Sequence, residues 1–152
     1  MTTTILIQDQ SLDLQVLHRP PDHLQGDPGA QVTFTGFVRQ HDYAEPITHL
    51  FIEHYPEVTE QEIRHIAQTA QEKWNISHIT IVHRVGFIAV GEPIVWVCVY
   101  AKHRTDAYAA NEYIMDYLKV SAPFWKKEIF QNGRENWVDA KKSDQEKYNT
   151  WN

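Results

Sequence analysis

Apolar residues fall at helical spacing in two stretches of this chain, and the segments between and around them alternate as strands do. In "TEQEIRHIAQTAQEKWN" Ile63, Ile66, Ala67, Ala70 and Trp74 fall at i, i+3, i+4, i+7 and i+11, which marks one buried helix face. Thr59 followed by Glu62 reads as a capping box at the start of that helix. In "TDAYAANEYIMDYLKV" the inward stripe is Ala107, Ala110, Ile114, Tyr117, Leu118 and Ser121, with Thr105 as the cap. Pro123 disfavours helical geometry at Ala122, so the second helix stops just before it.

Strands are expected at "TILIQD", "AQVTFTGFVRQ", "ITHLFIEHY", "HITIVHRVG" and "PIVWVCVYA", with "FIAVGE" as a short connecting strand or turn. Gly36 inside the second of these implies a bulge or a close backbone approach. "FWKKEIFQNGRENWVDA" reads as a β-hairpin turning at Asn132-Gly133, where both turn positions tolerate positive φ. Residues 1–29 form a variable part with a Pro- and Gly-rich loop, and 141–152 a polar tail that reads as a frayed helix. The predicted fold class is α+β, a single domain over 1–152. Two main helices pack on a mostly antiparallel sheet that ends in the C-terminal hairpin.

A chain of 152 residues has room for one sizeable core. Its net charge of -6 excludes a broad nucleic-acid surface, so an anion site must be a local basic cluster on an acidic body. No apolar run approaches the roughly 20 residues that cross a bilayer. A cytoplasmic protein without membrane contact is expected. The single cysteine, Cys98, alternates with Ile94, Trp96 and Tyr100 and reads as a buried strand residue. No HExxH, paired zinc-ligand spacing, GxSxG or Gly-rich phosphate loop occurs, so neither metal nor resident cofactor is expected.

On an extended strand Phe124, Lys126, Glu128 and Phe130 share one face, and Trp125, Lys127 and Ile129 the other. A lysine among aromatics is costly to desolvate unless it meets an anion. The plain alternative is a same-face ion pair with Glu128. Lys119, at the end of the second helix, reads by itself as a solvated lysine near the negative dipole end. Lys102, His103 and Arg104 stand at the start of that helix, where cations oppose the dipole unless they serve a bound anion. Arg39 closes the "FTGFVR" strand as a further candidate. His83 and Arg84 read as structural or interfacial.

In order along the chain, "VTFTGFVR", "LFIEHYPEVTEQEI", "VHRVGFIAVGE", "KHR", "YIMDYLK", "APFWKKE" and "NWVDAKKSD" resemble the large, catalytic subunit of molybdopterin synthase. The resemblance runs from about Ala30 to Asp144. It implies an α/β hammerhead fold with an added antiparallel subdomain, and the conversion of cyclic pyranopterin monophosphate into molybdopterin. The sulfur would arrive as a thiocarboxylate on the C-terminal glycine of a small ubiquitin-like subunit, in a heterotetramer built on a large-subunit homodimer. Carried over by position, the essential lysines are Lys119 and Lys126. The substrate contacts are Phe37, Val38, Arg39, His103, Arg104, Lys119, Lys126, Lys127 and Glu128. Two departures stand out: Glu57 replaces a glycine in "HYPEV", and Phe37 replaces a lysine found in some members. The alternatives are a family member that only docks the sulfur carrier, and a phosphate-ester enzyme without a protein partner.

Overall fold

The elements follow in the order β1 (Thr2–Gln8), α1 (Leu14–Leu17), β2 (Ala30–Phe37), β3 (Ile47–His54), α2 (Val58–Lys73), β4 (Ile76–Arg84), β5 (Gly86–Ala89), β6 (Pro93–Ala101), α3 (Arg104–Val120), β7 (Phe124–Phe130), β8 (Glu135–Val138) and α4 (Lys142–Asn149). The computed structural model describes residues 2–40, 43–138 and 142–151. Residues 41 and 42 of the loop after β2, the hairpin end at 139 and 140, and the first residue of the tail therefore lie outside the described residues.

These strands build two four-stranded sheets, in the orders β1-β4-β6-β2 and β5-β3-β7-β8. All neighbours are antiparallel except β1 and β4, which run parallel. The α+β class with mostly antiparallel pairing is as expected; the division into two sheets was not legible in the alternation. Helices α2 and α3 cover one face of the first sheet, where Ile63, Ile79, Ile81 and Ile114 are wholly enclosed. Burying each such side chain contributes about 1.5–3 kcal/mol. The opposite face carries Trp96, Cys98 and Tyr100 and is covered by Leu12, Leu14, Leu17 and Leu24. The N-terminal segment that showed no pattern is thus the cover of a second core, built from leucines at irregular spacing.

Several helix and turn boundaries differ from expectation. Glu57, not Thr59, is the N-cap of α2, and no side chain caps it. Thr59 is wholly buried instead: its Oγ accepts from the Tyr55 amide (3.1 Å) and donates to the Pro123 carbonyl (3.2 Å). Tertiary contact has taken the hydroxyl that a capping box would use. Likewise α3 starts at Arg104 with His103 as its N-cap, so Thr105 lies inside the helix. Ser121 is the exposed C-cap rather than part of the stripe. The hairpin turn holds positive φ at Gly133 alone. Gly133 donates to the Phe130 carbonyl and Phe130 to that of Arg134, which makes a three-residue loop rather than a two-residue turn. The polar tail forms α4, anchored where Tyr148 and Trp151 pack against the first core.

The third apolar cluster joins the two sheets: Val38, Leu50, Ile52, Val85 and Ile88 are buried there. Arg84 serves the structural role expected of it at this junction. Its guanidinium pairs with Glu92 and donates to the Asp9 carbonyl at 3.3 Å. The same contact holds the Glu92 carboxyl below its ordinary pKa.

Candidate active site at the sheet junction

Three elements converge where the sheets meet. Strand β2 reaches the junction through a register shift between Gly36 and Phe37, the bulge expected at this glycine. A Cβ at Gly36 would stand 2.9 Å from a Val95 methyl, so the close approach of β2 to β6 requires glycine. The C-terminus of α3 arrives over the first sheet, held by buried Asn111, whose Nδ2 donates to the Val32 and Val97 carbonyls at 3.0 Å each. Strand β7 leaves the corner at Pro123 and pairs with β3, with Lys126 opposite Ile52 and Glu128 opposite Leu50.

Between them lies a cleft of about 280 Å³. Leu50, Ile52, Val95 and Phe124 supply apolar lining, and Arg39, Lys119, Lys126, Glu128 and Asp144 supply charge. Three permanent cations against two carboxylates leave the cleft with a positive balance inside a protein of net charge -6. Lys119 is exposed, Lys126 half-buried and Glu128 buried. A pocket with apolar walls and convergent cations suits an anionic ligand with a flat ring.

Not every residue singled out from sequence reaches this cleft. Phe37, Arg39, Lys119, Lys126 and Glu128 line it, and Val38 is buried next to it in the inter-sheet core. Lys127 points to the opposite face of β7, where its ammonium lies 5.3 Å from the Phe51 ring and 5.2 Å from the Trp137 ring. Among the described residues its ion pair is with Glu135 at 3.3 Å. Among the described residues the ion pair given for β7 is thus the outward one of Lys127, while Lys126 and Glu128 both line the cleft. Glu128 receives Asn136 Nδ2 at 3.5 Å. His103 and Arg104 are exposed at the N-terminal end of α3, a full helix length from Lys119.

Sequence reasoning missed Phe34, Met115, His83 and Asp144, which also line the cleft. Phe34 and Met115 carried ordinary apolar signals, and Asp144 sits in a tail without pattern. His83 is buried at the end of β4, its ring stacked on Phe124 (centroids 3.9 Å, 15° between planes). Its Nδ1–H donates to the Arg84 carbonyl at 2.8 Å. Burial lowers its pKa to about 4; Lys126, His54 and Lys119 push the same way, while the Arg84 hydrogen bond opposes.

The chain is thus a two-sheet α+β domain with a cationic cleft at the sheet junction, an arrangement whose chemistry suits an anionic guest. The sequence matches the family described as MoaE protein over residues 7–121. It is 41% identical over 147 residues to the molybdopterin synthase catalytic subunit of Haemophilus influenzae, covering 97% of each chain. Among solved structures it is similar to the molybdopterin biosynthesis MoaE protein from Burkholderia ambifaria (TM-score 0.80, 40% identity, 98% and 97% of the two chains). It is also similar to molybdopterin synthase from Staphylococcus aureus (TM-score 0.75, 32% identity, 89% and 95%). The chain belongs to the MoaE family of molybdopterin synthase catalytic subunits.

Proposed function

We propose that this chain is the catalytic subunit of a cytoplasmic molybdopterin synthase. It moves two sulfurs from the C-terminal thiocarboxylate of a small ubiquitin-like subunit to cyclic pyranopterin monophosphate. The observation that carries the reading is the convergence of Arg39, Lys119 and Lys126 on one cleft with apolar walls. A thiocarboxylate and a phosphate are both anions, so bringing them into contact requires cations to offset their repulsion. Arg39 offers forked hydrogen bonds to a phosphate. Lys119, at the exposed mouth, meets the carbonyl of the incoming tail and stabilises the charge that develops as sulfur leaves it. Lys126, deeper in, donates a proton to the oxygen departing from the pterin. Glu128, two residues along the same strand face, keeps the ammonium of Lys126 in place.

His103 and Arg104 reach this chemistry from a second copy of the chain, within a homodimer that binds two small subunits. The test is reconstitution. Purified chain mixed with thiocarboxylated small subunit should co-elute with it on a sizing column and convert the cyclic monophosphate into the dithiolene. Co-elution without conversion would leave a docking protein; no co-elution would leave an enzyme of phosphate esters without a protein partner.

A further inference from the structure

We propose that His83 is a positioning residue for sulfur transfer, its Nε2 serving as the hydrogen-bond acceptor that holds the Lys126 ammonium toward the cleft. The proposal rests on the reaction assigned above and adds a residue to it. Three constraints fix the ring. It is stacked on Phe124, its Nδ1–H is taken by the Arg84 carbonyl, and β4 places it against the cleft it lines. With the proton on Nδ1, the other nitrogen carries a lone pair and can only accept. Among the described residues Nδ1 is the ring nitrogen with a hydrogen bond, which leaves Nε2 for the cleft. Lys126 follows Phe124 by two residues on the same face of β7, roughly 7 Å along the strand. A lysine stem with a hydrogen bond beyond its end covers that distance, so rotation of the Lys126 side chain can bring its ammonium to Nε2, and its three donors leave others for the substrate and for Lys126's remaining neighbours.

The charge around His83 explains why an imidazole suits this position better than a carboxylate. Lys126 approaches from β7, Lys119 from α3 and His54 from β3, while Arg39, Glu128 and Asp144 line the same cleft. Glu128 already brings one carboxylate to Lys126, and a second in place of the ring would cancel more of the positive charge that two anionic guests require. An imidazole that stays unprotonated orients the ammonium and leaves the field intact. Burial and the surrounding cations hold it in that form down to about pH 4.

The test compares His83→Asn, which keeps a donor near Nδ1 and removes the acceptor, with His83→Gln, which restores a polar group near Nε2. In His83→Asn kcat for dithiolene formation should fall about tenfold while KM stays within about twofold, as for a misplaced acid. The high-pH limb of the activity profile should move to lower pH, and His83→Gln should recover most of both. Equal losses in the two variants with an unmoved profile, or no loss in either, would overturn the proposal. A second readout needs neither turnover nor a His83 variant. The ¹⁵N spectrum of the protein should show an unprotonated Nε2 from about pH 5 to 8, whose resonance moves in Lys126→Met. A proton on Nε2, or a resonance indifferent to Lys126→Met, contradicts the assignment. Because that readout is independent of substrate, an unaltered protein without activity would sink the reaction and leave the His83 contact still decided by its spectrum.

Discussion

His103 and Lys119 stand at opposite ends of one helix, sixteen positions apart and separated by roughly 24 Å of helix axis. No side chain bridges that span, so a site that uses both must draw them from two copies of the chain. Co-expressed Arg104→Ala and Lys119→Ala chains, each inactive by itself, should then form hybrid dimers with one intact site. Activity near a quarter of the unaltered value is expected, since half of a random mixture is hybrid and each hybrid has one good site of two. An inactive mixture would show that both residues serve the same chain's site.

Glu57 is the one non-glycine residue with positive φ among the described residues (φ 72, ψ -55). The Val58 amide donates back to the Pro56 carbonyl at 2.9 Å across it, closing a strained three-residue γ-turn. Glu57→Gly relieves that strain while adding freedom to the unfolded chain, and should stabilise the fold by about 1 kcal/mol. Thermal unfolding measures it; a lowered midpoint would show that the glutamate side chain is doing more than tolerating the turn.

His83 has its pKa lowered from 6.5 to about 4, so between those values the unfolded chain binds a proton that the folded chain does not. Stability is therefore complete above about pH 6.5 and declines as pH falls toward 4, by on the order of 3 kcal/mol from this residue. Denaturant midpoints measured across that range should fall less steeply in His83→Gln than in the unaltered protein. Parallel slopes would mean that the ring is not buried as described.

Thr59 links the start of α2 to the corner between α3 and β7 through its two hydrogen bonds. Thr59→Val keeps the shape and leaves the Tyr55 amide and the Pro123 carbonyl, both part-buried, without this partner, at a cost of about 1 kcal/mol. Because Pro123 sits between Lys119 and Lys126 in sequence, the same change should also reduce activity under conditions where the variant is fully folded. Urea unfolding and initial rates check the two effects separately.

The helices were legible because an apolar period near 3.6 residues, sustained over several turns, fits one buried helix face and no strand, as at Ile63, Ile66, Ala67 and Ala70. Their ends were not. Thr59 and Thr105 carry local capping chemistry, but the caps depend on where tertiary packing sends each hydroxyl. The strands were legible by alternation, yet alternation does not say which strands share a sheet, so the junction that forms the cleft could not be read. The cleft was half visible: Lys126 among aromatics raised the question, and Arg39 and Lys119 line the same cleft. Lys127 looked equivalent to Lys126 in composition and differs only by the parity of its position on β7. His83 was hidden because a histidine at a strand end commonly has a structural role alone. Only its stacking on Phe124 and its place against the cleft set it apart.

The account depends most on Lys119 and Lys126 acting together on substrate in one cleft, and single substitutions in the reconstituted enzyme test it directly. Lys119→Ala and Lys126→Ala should each lower dithiolene formation by roughly 10²–10³-fold, with the unfolding midpoint and co-elution with the small subunit unchanged. Full conversion by either folded, partner-bound variant would contradict the account.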